Sequence, residues 1–110
     1  MTFTEKRLAQ SYPNATTNTT AYTTPVLTKT IVRNITICNT TANPINARVF
    51  IVPNGGAAGV SNALYYDHEI QGNLTYNKNL YLILDTAGDT IVVYASAQGI
   101  TFTISGAEIV

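Results

Sequence analysis

The chain has 110 residues, a formal charge of zero at pH 7 with histidine neutral, and only 11% charged side chains against 45% hydrophobic ones. This length supports one domain of modest size, small enough to be marginal as a monomer, so burial of further surface in an assembly is expected. The six cations Lys6, Arg7, Lys29, Arg33, Arg48 and Lys78 are scattered, which excludes the basic footprint of a nucleic-acid-binding protein. A single cysteine, Cys38, excludes an internal disulfide and a cysteine-built zinc site.

In chain order, residues 1–13 hold no apolar run of signal-peptide length, and no stretch reaches the eighteen or so apolar residues of a spanning helix. A protein made in the cytoplasm, soluble and away from the membrane, is the expectation. Phe3 and Leu8 are apolar, but Ser11 to Thr20 is polar, rich in Asn and Thr, and contains Pro13. That composition favours an extended segment without a core of its own, so residues 1–17 are expected to form an N-terminal arm and residues 18–110 the folded domain.

Thr, Val, Ile and Tyr then dominate, and long runs of strong helix formers are absent. Strands are predicted at Thr20–Thr24, Thr28–Cys38, Ala47–Val52, Leu64–Ile70, Leu80–Leu84, Thr90–Ser96 and Ile100–Ser105. Turn chemistry separates them at Asn43-Pro44, Pro53-Asn54-Gly55-Gly56, Gly72-Asn73, Ala87-Gly88-Asp89 and Gln98-Gly99. The fold class this spacing predicts is all-β, an antiparallel β-sandwich or jelly roll of about seven to eight strands with an extended N-terminal arm.

Within Thr28–Cys38, simple alternation puts Ile31, Ile35 and Ile37 on one face with Arg33 among them. Such an arginine reaches water along its stem, pairs with a buried acid, or faces another molecule. Cys38 lies in the same apolar strand and reads as a buried, inert thiol. The segment Asn54–Gly59 lacks the Lys-Ser/Thr ending of a phosphate-binding loop and reads as a flexible hairpin tip. Leu80–Leu84 is apolar on both faces, which suits a central strand or one covered by a partner. Near the carboxyl end, Ile100, Phe102 and Ile104 alternate with Thr101, Thr103 and Ser105, the pattern of a strand with one face buried and one wet.

Catalytic chemistry is not legible. His68 is the only histidine, and alternation sends its neighbours Asp67 and Glu69 to the opposite face, so no Ser-His-Asp geometry arises locally. Asp67 and Glu69 share a face but lack the oxygen-rich loop of a calcium site, so no metal, cofactor or catalytic residue is assigned. Five Asn-x-Thr triplets, at Asn14, Asn18, Asn34, Asn39 and Asn73, follow from the Asn- and Thr-rich composition without a secretory signal. Seven tyrosines and no tryptophan favour an interaction surface, with sugar and protein both open as what lies across it. The candidate interface residues are Phe3, Arg7, Leu8, Tyr12, Tyr22, Arg33, Tyr65 and Tyr81.

Six blocks carry a resemblance: Arg7–Gln10, Thr19–Thr23, Ile37–Thr41, Arg48–Pro53, Ala63–Asp67 and Gly88–Glu108. In this order they resemble small structural proteins of tailed bacteriophages, which are β-sandwich proteins of the virion; Gly72–Asn79 matches that pattern least well. What the resemblance implies is a non-enzymatic cement or decoration protein on the capsid exterior, bridging neighbouring capsomers. Its partners would be the major capsid protein and further copies of itself, as a homodimer first and a trimer second, without nucleic acid or membrane. The alternative is a carbohydrate-binding adhesion module of a tail, neck or fibre, with Tyr65 or Tyr81 as a platform for sugar rings.

Overall fold

A computed structural model describes residues 1–110. The strands are β1 (Phe3–Ser11), β2 (Thr19–Thr23), β3 (Lys29–Asn39), β4 (Ile45–Val52), β5 (Ala63–Ile70), β6 (Thr75–Leu84), β7 (Thr90–Ala95) and β8 (Ile100–Ile109), with one short 3-10 turn at Val60–Asn62. They form two four-stranded antiparallel sheets, ordered β1-β8-β3-β6 and β2-β7-β4-β5. Every connection except β4–β5 carries the chain from one sheet to the other, which makes the sandwich a jelly roll. The short turn before Ile100 is one of these crossings: β7 and β8 lie in opposite sheets.

Between the sheets the core is packed from alternate residues of every strand, among them Val32, Ile35, Ile37, Ala47, Val49, Ile91, Val93, Ile100, Phe102 and Ile104. The sheets are also tied by a polar bridge. Tyr22 of β2, only 8% exposed, donates its hydroxyl to Glu108 of β8 at 2.5 Å and lies 2.7 Å from the Thr30 hydroxyl of β3. Lys6 of β1 closes the chain of contacts at 3.2 Å from Glu108. The Tyr22 hydrogen bond, with Lys6 beside it, holds the Glu108 carboxyl below its ordinary range. Burial, then the hydrogen bond to Glu108, pushes the Tyr22 phenol up to about 12.

Several expectations change. Phe3–Ser11, assigned to the arm by composition, is an edge strand of the first sheet, paired along β8 from Phe3 opposite Ile109 to Ser11 opposite Phe102. Its Leu8 and Ala9 pack against the core, and beyond it Pro13 is buried and Ala15 bridges Ala95. Pairing to β8 holds this segment, so it needs few apolar side chains of its own. Leu80–Leu84 belongs to a longer strand at the other edge of that sheet rather than to a central one.

Bulges account for the errors of phase. β3 shifts register between Val32 and Asn34, so Val32, Ile35 and Ile37 are core residues while Ile31 and Arg33 lie on the outer face. β1 shifts beside the same point of β8, between Arg7 and Ala9. At this bend the sheet passes close over Gly106, where a Cβ would stand 1.9 Å from the Ile31 carbonyl oxygen. Cys38 is half-buried on the outer face of β3.

Candidate functional site

Neither sheet presents a uniformly wet outer surface. On the second sheet, Phe50, Val52 and Val92 point away from the main core yet form a small core of their own, with Ala58, Ala63 and Tyr94 packed against them. Ala58 belongs to the β4–β5 connection, so the segment read as a flexible tip folds back over the sheet. The Asn62 side chain secures that fold by donating to the Ala57 carbonyl at 2.9 Å and accepting from the Gly59 amide at 3.1 Å.

Beside this cover, Arg48 of β4 donates twice to Asp67 of β5, from Nε at 2.7 Å and from a terminal nitrogen at 3.2 Å. Its guanidinium also lies 4.1 Å from the Tyr66 ring centre and 4.4 Å from that of Tyr94, stacked between two aromatic faces. The arrangement depends on a bulge: two residues, Tyr66 and Asp67, oppose the single Arg48, and Asp67 takes a left-handed backbone at φ 53°. Aspartate tolerates that conformation better than most residues.

Around His68 the expected alternation holds, with Asp67 and Glu69 on the opposite face, but the bulge makes Tyr65 rather than Tyr66 its neighbour on the same face. His68 and Tyr65 fall on the inner side of β5, where they meet Tyr76 of β6 at ring-centre distances of 4.3 Å for His68 and 5.7 Å for Tyr65. This aromatic cluster closes the seam between the edges of the two sheets. Burial, and then neighbouring Tyr76, pushes the Tyr65 phenol up to about 12. Asp67 and Glu69 do not act together: Asp67 holds Arg48, and Glu69 accepts from the Gln71 side chain at 2.6 Å.

The outer face of the first sheet is different. Toward one end it is polar, with Asn34 donating to Asn77 and Asn79 at 3.1 and 2.8 Å, and Asn77 donating to Thr36 at 2.8 Å. Toward the other end it is apolar and open. Phe3, Tyr81 and Ile83 are 58%, 62% and 48% exposed, and Ile31 and Ala107 lie between them. A shallow depression of about 600 Å³ lies here, lined by residues that include Phe3, Glu5, Ile31, Arg33, Tyr81 and Ala107. The Arg33 guanidinium lies 5.6 Å from the Tyr81 ring centre.

Of the eight candidate interface residues, Phe3, Arg33 and Tyr81 therefore meet on one face, and Arg7 is exposed on the same edge strand. Tyr12 is exposed beyond the end of β1. Tyr22 and Leu8 are inward residues, and Tyr65 is half-buried in the seam cluster. Ile31 and Ile83 were not among the candidates. A signal for Ile83 existed in the two-faced apolar run Leu80–Leu84; Ile31 had none, because only the bulge turns it outward.

No family model matches the chain, and no curated protein matches its sequence. Among solved structures it is similar to a chain of the T13 particle of infectious bursal disease virus, with a TM-score of 0.52 and 5% identity over 97% of this chain and 29% of the other. A chain from the Gx strain of the same virus superimposes with a TM-score of 0.51 and 11% identity, over 97% of this chain and 31% of that one. This chain thus spans less than a third of the length of those it resembles. At such low identity what they share is the jelly-roll fold.

Proposed function

We propose that this chain is a virion structural protein of the cement or decoration type, which binds the outside of an assembled phage capsid, bridges neighbouring capsomers and stabilises the shell. The observation that carries this reading is the jelly-roll topology, superimposed over 97% of the chain on a protein of an icosahedral virus particle. The ways the chemically capable side chains are used support it. Asp67 is spent on Arg48, Glu108 on Tyr22 and Lys6, and His68 is packed among tyrosines. The role is structural and not catalytic.

The mechanism is mass action. A ligand that binds the assembled lattice and not free subunits stabilises that lattice by RT ln(1 + [L]/Kd). A homodimer at local two-fold axes suits this task, with a trimer next, because closed symmetry lets one protein meet equivalent capsomers. The test is quantitative mass spectrometry of purified particles, with heating of particles that have or lack this chain. Copy numbers near that of the capsid subunit, and rupture at lower temperature without it, are expected; equal robustness overturns the cement role.

One observation favours a second reading, an adhesion module of tail, neck or fibre. Tyr81 is open and stands beside Arg33 on a sheet face that continues into the Asn34–Asn77–Asn79 network, and such a surface can stack on and hydrogen-bond a sugar. Jelly rolls also build lectins. A few copies per particle, with adsorption to cells that free glycan abolishes, would select it.

A further inference from the structure

We infer that the apolar end of the outer β1-β8-β3-β6 face is the surface that meets the capsid, and that it takes a partner patch that is apolar at its centre and acidic at its rim. The inference rests on the cement reading and adds the face and the chemistry of what covers it. The two outer faces are treated unequally. The chain covers Phe50, Val52 and Val92 with its own β4–β5 segment but leaves Phe3 and Tyr81 bare in a depression of about 600 Å³, with Ile83 bare opposite its lining residue Ile31. Tyr81 and Ile83 stand on an edge strand, where bare apolar side chains invite association unless a specific partner takes them.

Charge decides the kind of partner. Arg7, Lys29 and Arg33 are exposed on this sheet and make no ion pair, whereas Glu5 is the acid on the same four strands that is left without a cation. Asp85 lies just past the end of β6, near Lys29. A second copy stacked on the same face would set three cations against two acids, Glu5 and Asp85, and leave one cation of each copy unanswered. Carboxylates on a different protein answer all three. The dimer of the cement reading therefore forms through another surface. The molecule extends 45 × 26 × 19 Å, so its broad face is on the scale of the roughly 800 Å² that a standard interface takes from each partner.

The experiment titrates particles purified without this protein with the full chain and with R33E, Y81S and, as a control on the covered face, V60S. All three positions are exposed, and unchanged melting temperatures verify that the variants fold. Wild-type binding that weakens with added salt, losses of about tenfold or more for R33E and Y81S, and none for V60S are expected. If the wild type binds and R33E and Y81S bind equally well, this face is wrong while the cement reading stands. If the wild type does not bind at all, the cement reading itself fails. Should the free chain sediment as a dimer that R33E or Y81S dissociates, the occupant is a second copy and the acidic partner is overturned.

Discussion

The outer surface of the β2-β7-β4-β5 sheet and that of the β1-β8-β3-β6 sheet begin from the same ingredients: large apolar side chains pointing outward, tyrosine, and one arginine lying over an aromatic ring. They end differently. On the first of these surfaces the apolar side chains are roofed by the β4–β5 segment, and Arg48 is fixed by Asp67, Tyr66 and Tyr94. On the other, Arg33 makes no ion pair and lies 5.6 Å from the Tyr81 ring centre, and the apolar side chains meet water. The lesson is that outward-facing apolar residues in a sandwich belong either to the fold or to a partner, according to whether a neighbouring loop is long enough and suitably built to cover them.

The largest effect that can break this comparison is at Phe50, which is 2% exposed. Phe50→Ala should cost about 3–5 kcal/mol, whereas Tyr81→Ala should stay within about 0.5 kcal/mol in the free protein, both read from denaturant unfolding. Equal costs at the two positions would mean that the faces are not energetically different. Next comes Gly106→Ala, which should cost about 1–3 kcal/mol because its methyl group enters the space of the Ile31 backbone at the bend under the open face. A neutral result would show that this sheet relaxes easily.

The tie between the sheets gives a pH test. The Tyr22 phenol is raised to about 12, so the stability it contributes is complete below about pH 10, the ordinary tyrosine range, and is lost as pH rises toward 12. Glu108 is lowered, so its contribution is present above the ordinary carboxylate range and is lost as pH falls through its folded value. Tyr22→Phe should cost about 1–2 kcal/mol at neutral pH and flatten both limbs of the melting temperature against pH. Retention of both limbs would place the titration elsewhere, Tyr65 being the next group to examine on the alkaline side.

A smaller loss of melting temperature is expected for Arg48→Ala, accompanied by a change in the near-ultraviolet circular dichroism of Tyr66 and Tyr94, which it separates. Smallest of all, Ile83→Ser should leave melting within about 0.5 kcal/mol and reduce light scattering of concentrated protein. If scattering does not change, the bare face is not the sticky one.

Period-two patterning, the Pro, Gly and Asn turns, and the shortage of helix formers determined by themselves an all-β chain, its later seven strands and most of its inward residues, because side-chain alternation is a local property of extended backbone. Ile100, Phe102 and Ile104 are buried as their alternation requires. Tertiary structure alone decided what depends on residues far apart in the chain. It made a strand of Phe3–Ser11 through pairing with β8, roughly a hundred residues away. It set Tyr22 against Glu108, and it turned Ile31, Arg33 and Tyr65 to faces that strict alternation denies them. The physical reason is the bulge: one extra residue in a strand inverts every side chain beyond it, and whether it forms is settled by the neighbouring strand.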